Sequence, residues 1–125
     1  MMGNSHGKTT WLVPDCYWPE ITGPGYYVSH ESICILNTGD EDAVIDITLF
    51  FEDRDPMTGF IAACAAKRCH HVRMDKLVNR DGKGVPIGVP YAALVVCNVP
   101  VVAQYSRIDT TQNNETLATT IGFAQ

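Results

Sequence analysis

The strongest constraint in this sequence is a two-residue rhythm of apolar and polar side chains. Ala43 to Phe51 shows it most clearly: Ile45, Ile47, Leu49 and Phe51 fall on one face, with Val44, Asp46, Thr48 and Phe50 on the other. Successive side chains of an extended chain point to opposite sides, so this period marks a half-buried β-strand. Leu117, Thr119, Ile121 and Phe123 repeat it near the C-terminus. Further runs rich in β-branched residues place strands at 9–13, 26–36 (open to division in two), 60–66, 68–74, 92–98 and 101–109. That makes about eight.

Turn chemistry separates these runs. Asn37-Thr38-Gly39-Asp40-Glu41-Asp42 reads as a polar hairpin loop, and Asp53 to Gly59 as the next. Asn98-Val99-Pro100 reads as a tight turn, with Pro100 opening its strand because it cannot donate inside a ladder. Only 74–79 and 109–115 leave room for a short helical turn. Short strands with no crossover helices imply an antiparallel arrangement, and the expectation is an all-β, jelly-roll-like β-sandwich. Two segments, 14–26 and 79–90, are longer than that architecture needs, and long loops often carry function.

At 125 residues, 46% apolar and 18% charged, the chain suits a single domain spanning 1–125 with its own core, residues 1–7 being a flexible N-terminal segment. A net charge of −5 with scattered Lys and Arg works against nucleic-acid or anionic-lipid binding. The N-terminus is polar, and no apolar run approaches the ~20 residues of a spanning helix, so a cytoplasmic protein is expected. Five cysteines, odd in number and without a Cys-x-x-Cys pair, read as reduced, buried thiols.

Candidate chemistry is sparse. His70 and His71 are strand neighbours whose rings diverge, so no metal site and no cofactor are expected. Cys69 beside them reads as structural for the same reason, and no Gly-x-Ser-x-Gly or phosphate loop occurs. Charged groups set in or beside strands are more informative: His30, Glu31, Asp53, Arg54, Arg68, Arg73, Arg107 and Asp109. Such groups either form a salt-bridge network or line a polar pocket for a hydroxyl-rich or anionic ligand. Glu31, Asp53 and Asp109 also supply the carboxylates that a carbohydrate-active enzyme would need. In an oligomer, Arg68, Arg73 and Arg107 would be the basis of a DNA-binding surface, against the acidic balance. Trp11, Tyr17, Trp18, Tyr26 and Tyr27 gather around one loop and suit either sugar stacking or a subunit interface.

Five segments resemble the sensory rhodopsin transducer family. These are Ser29-His30-Glu31-Ser32-Ile33-Cys34-Ile35-Leu36-Asn37-Thr38-Gly39-Asp40-Glu41-Asp42-Ala43, Phe51-Glu52-Asp53-Arg54-Asp55-Pro56, His71-Val72-Arg73, 98–109 and Thr120-Ile121-Gly122-Phe123-Ala124. The resemblance implies a jelly-roll-like sandwich similar to carbohydrate-binding modules, assembled as a homotetramer. It also implies a cytosolic signalling or ligand-binding role without catalysis, with a small sugar-like ligand or a rhodopsin-like membrane receptor as partner. Matching polar positions are His30, Glu31, Asn37, Asp53, Arg54, Arg73, Gln104, Arg107 and Asp109, to which Trp11 and Arg68 are added from the residues themselves. Segments 14–18 and 79–90 depart from the family pattern.

Overall fold

The computed structural model describes residues 5–20, 22–23, 28–111 and 115–125. Eight strands appear in chain order: β1 (Lys8–Cys16), β2 (His30–Asn37), β3 (Ala43–Phe50), β4 (Met57–Cys64), β5 (Arg68–Arg73), β6 (Tyr91–Asp109), β7 (Thr116–Ile121) and β8 (Phe123–Ala124). All their pairings are antiparallel. One layer runs β4-β3-β6-β1-β8, the other β5-β2-β6-β7, and β6 belongs to both. This is the all-β, antiparallel sandwich expected from the period-two runs. Among the described residues the one helical element is a single 3-10 turn at Met74–Lys76, inside the 74–79 window.

The core forms where the alternation puts it. Ala43, Ile45, Ile47 and Leu49 of β3 are fully buried in one core with Ile33 and Ile35 of β2 and Val95, Val101 and Ala103 of β6.

Two expectations about connections need correction. Segments 92–98 and 101–109 form one 19-residue strand, not two strands with Pro100 opening the second. Its first part pairs with β1 and β3, its last part with β2 and β7. Between them the partner register jumps: Val101 faces Lys8, while Val96 faces Thr10. Pro100 lies in that gap, where the strand turns from one layer to the other and no ladder needs its missing N–H. Asn98 braces the corner by accepting the Val44 backbone N–H at 2.7 Å.

The polar loop after β2 is not a hairpin either. β2 pairs with β5 and β6 and β3 with β4 and β6, so residues 38–42 cross between layers. The loop between β3 and β4, by contrast, does join paired strands.

The C-terminal run keeps its period but not its burial. Among the described residues β7 has a neighbour on one side only, and Leu117, Ile121 and Phe123 are 68%, 62% and 67% exposed. At Gly122 the chain leaves β6 and joins β1, packed so closely that a Cβ there would sit 3.2 Å from the Trp11 ring.

The five cysteines are free, as read from their spacing. Cys16, Cys64 and Cys97 are buried, but Cys34 is half-buried and Cys69 exposed. Cys69 lies on β5, which pairs only with β2 among the described residues and is exposed over its first four residues. Of the segment expected to be flexible, residues 1–4 lie outside the described residues. His6 donates its backbone N–H to the Thr38 hydroxyl at 3.0 Å, and Gly7 abuts Val101 of β6. Tyr26 and Tyr27 also lie outside the described residues, and β2 begins at His30.

Candidate ligand-binding site

Alternation along β2 turns Glu31, Ile33, Ile35 and Asn37 inward together, so two polar side chains bracket the apolar pair. Glu31 is 0% exposed and accepts hydrogen bonds from the hydroxyls of Tyr91 and Tyr105. Burial pushes its carboxyl above the usual carboxylate range, outweighing the two tyrosine donors, the Tyr17 backbone and Arg107, which all pull the other way. The tyrosines respond in kind. Burial, then the Glu31 charge, raises both phenols, and the Cys16 thiol beside them rises for the same reasons.

Above this buried cluster the layers part. A cavity of about 570 Å³ opens between the end of β1, the last part of β6, and β7 with β8. Val13, Ala118, Ile121 and Phe123 form apolar walls, Tyr105 forms part of the lining, and Arg107 and Asp15 supply charge. Arg107 pairs in register with Glu31 across the β2–β6 ladder. Glu31 is already engaged by the tyrosines. The half-buried Arg107 guanidinium makes no hydrogen bond or ion pair with any described residue, although its charge is felt by Glu31, Cys16 and Asp109.

The other sequence-selected residues divide by place. Asn37 is fully buried, donating from Nδ2 to the carbonyls of Glu41 (2.8 Å), Cys64 (3.1 Å) and Ala65 (3.4 Å), while Oδ1 accepts from Gly39 N–H. Trp11 is buried too, its Nε1 donating to the carbonyls of Lys8 and Val101. Gln104 sits opposite Cys34 on the outward side of β6. Asp109 closes that strand and accepts from the Thr111 backbone N–H at 2.9 Å.

Arg73 grips Asp75 with two bonds of 2.8 Å, and His30 contributes to that carboxylate's field. Asp53 and Arg54 pair with each other in the exposed β3–β4 loop, where the guanidinium lies 5.5 Å from the Phe51 ring centre. Arg68 is exposed and donates to the Lys67 carbonyl. The cavity thus holds Arg107 above buried Glu31, whereas Asp53, Arg54, Arg68 and Arg73 lie away from it. None of Glu31, Asp53 and Asp109 lines the cavity wall.

His70 and His71 are both exposed on β5 and line one shallow pocket with Val72 and Arg73. The Ala63 carbonyl, which can only accept, takes a bond from His70 Nδ1 at 2.6 Å, while His71 lies opposite Cys34. Among the described residues no group of three His, Cys, Asp or Glu side chains is placed to hold a metal. No helix among them is long and apolar enough to cross a membrane.

Comparison with known proteins decides the kinship. The family model described as Anabaena sensory rhodopsin transducer matches residues 6–124. The chain belongs to that family. Among solved structures, Thermotoga maritima 1070 is 44% identical over 96% of this chain and 97% of its own, with a TM-score of 0.85. The Anabaena sensory rhodopsin transducer itself is 37% identical over 81% of this chain and 97% of its own, with a TM-score of 0.71. No curated protein matches.

The transducer-family segments have distinct structural jobs here. Residues 29–43 carry Glu31 inward and use Asn37 to tie the interlayer crossing; 98–109 supply the β6 corner, Tyr105 and Arg107; 120–123 of the last segment line the cavity. Reading by residue type alone passed over Tyr91, Cys16 and Asp15. A signal for the tyrosines existed. Tyr91, Ala93, Val95, Cys97, Val101, Ala103, Tyr105 and Arg107 share one parity, and all but Arg107 are buried.

Proposed function

We propose that this chain is a signal-relay module, not an enzyme. It works in the cytoplasm as a homotetramer, couples to the inner face of a rhodopsin-like membrane receptor, and holds a small sugar-like or anionic ligand in the inter-layer cavity. The observation that carries the reading is the family match across residues 6–124, since the family's name ties it to a sensory rhodopsin. Surface chemistry supports the assembly. Leu117 on the open edge, with Val44, Phe50, Ile61 and Val96 on the outward face of the β3 layer, leaves more apolar side chain in water than a lone domain favours. Nucleic acid is not the expected partner, because Arg73 is neutralised by Asp75 and Arg107 faces the interior.

Light scattering on the purified protein tests the assembly, with four times the 13.7 kDa chain mass expected. Titration against nanodiscs holding the Anabaena sensory rhodopsin tests the receptor. Saturable binding that empty nanodiscs do not reproduce is expected. A monomer that ignores the receptor would remove the reading.

A further inference from the structure

We propose that the cavity beside Arg107 is a site for a small amphiphilic carboxylate, an apolar body carrying one carboxyl group. The assignment rests on the ligand-binding reading above and narrows it by excluding sugars. Three features of the cavity argue for this class.

The first is the wall. Val13, Ala118, Ile121 and Phe123 offer apolar surface, and Ile121 and Phe123 remain largely exposed. A hydroxyl-rich ligand would press unpaired hydroxyls against these side chains, whereas an alkyl or aryl body would cover them.

The second is the lone cation. Arg107 is half-buried and has no acceptor among the described residues. A planar guanidinium carries five donors in a fork that matches one carboxylate bidentately. The nearest protein carboxylate in register, Glu31, is taken by Tyr91 and Tyr105. Asp109 and Glu31 feel the Arg107 charge, but neither forms a hydrogen bond or ion pair with the fork, and a ligand carboxylate would.

The third is the rim. Asp15 lines the same cavity, and its charge opposes a second anionic group on the ligand. This favours a monoanion over phosphate or a dicarboxylate. A volume of about 570 Å³ falls within the ordinary range for small-molecule sites.

Isothermal titration of the full-length protein tests the class. The probes are 3-phenylpropionate and octanoate, the neutral 3-phenylpropionamide, glucose and inorganic phosphate. At least one carboxylate should bind tenfold or more tightly than the amide, with glucose and phosphate silent. Arg107→Gln should weaken that binding at least tenfold, and Arg107→Lys less. Ala118→Leu, which fills the cavity from the exposed edge strand, should abolish it while leaving the circular dichroism spectrum intact.

Equal binding of carboxylate and amide, or indifference to both Arg107→Gln and Ala118→Leu, overturns the proposal. Glucose or phosphate binding that is lost in Ala118→Leu, with the carboxylates silent, overturns the carboxylate class but keeps the ligand-binding reading. Silence from every probe overturns the proposal, and the receptor titration then decides the relay reading separately.

Discussion

Tyr91 and Tyr105 stand fourteen residues apart on one strand, yet both donate their hydroxyls to the carboxylate of Glu31. A straight strand would separate them by about 46 Å. Their meeting is the consequence of the β6 corner at 98–100, which folds the strand's two halves into opposite layers. The corner therefore does more than shape the core. It builds the floor of the cavity that Arg107 overlooks.

Glu31 should make stability depend on pH in an unusual direction. Its folded-state carboxyl is raised above 4.5, its ordinary value, so the folded chain holds that proton more tightly than the unfolded one. This contribution is fully present below the ordinary value and is lost as pH rises through the folded one. The groups facing it are Tyr91, Tyr105 and Arg107 of β6, Cys16 of β1 and the Tyr17 backbone. Thermal melts from pH 4 upward should show this loss in the wild type, with a smaller loss in Glu31→Gln. Parallel curves for the two proteins would show that Glu31 titrates as it does in the unfolded chain.

The tyrosines and Glu31 should behave as one unit. Tyr105→Phe removes a donor to a buried acid and should cost about 1.5–3 kcal/mol in urea unfolding. In a Glu31→Gln background the same change should cost less, because an amide asks for fewer donors than a carboxylate. It should also raise the Glu31 pKa further and carry the pH-dependent window upward, since the Tyr105 bond holds that pKa down. Strict additivity in the double-mutant cycle would mean the three side chains are energetically separate.

Asn37 should prove structural despite lying in a family segment. Its amide satisfies three carbonyls and one backbone N–H at the point where the chain leaves the β2 layer for the β3 layer. Asn37→Ala removes the bonds to the buried Cys64 carbonyl and Gly39 N–H and should cost about 1–3 kcal/mol. Ligand affinity, measured well below the melting point, should stay within twofold of wild type. A stable variant that has lost ligand binding would place Asn37 in the site instead.

How much of this was legible in the sequence depends on what set each feature. The β3 face of Ala43, Ile45, Ile47 and Leu49 could be read directly, because burial of one strand face is written in its own alternation. The same rule applied to β2 puts Glu31 and Asn37 beside Ile33 and Ile35, although their charge or polarity suggests a surface. The β6 corner was harder to read. A turn and a layer change use the same Asn-Val-Pro chemistry, and only long-range partners distinguish them. The cavity was less legible still. Its walls come from β1, β6, β7 and β8, and nothing in the spacing of Asp15, Arg107 and Ile121 announces that they meet.

Thiol chemistry gives the last test, and it separates packing from reactivity. Only the thiolate is nucleophilic, so a cysteine reacts when it is both reachable and able to lose its proton. Cys16 and Cys64 are buried with raised thiols, and burial lifts Cys97 to about 11. Cys34 is half-buried, again with a raised thiol, and its sulfur rests against the Ser106 hydroxyl. Cys69, on the outward side of an edge strand, is exposed. A disulfide reagent added to the native protein should therefore label one thiol per chain quickly and the other four only on unfolding. Cys69→Ser should erase the fast phase without changing the melting temperature by more than about 2 °C. Fast labelling that survives this substitution would mean that one of the remaining four thiols opens to solvent far more readily than its packing allows.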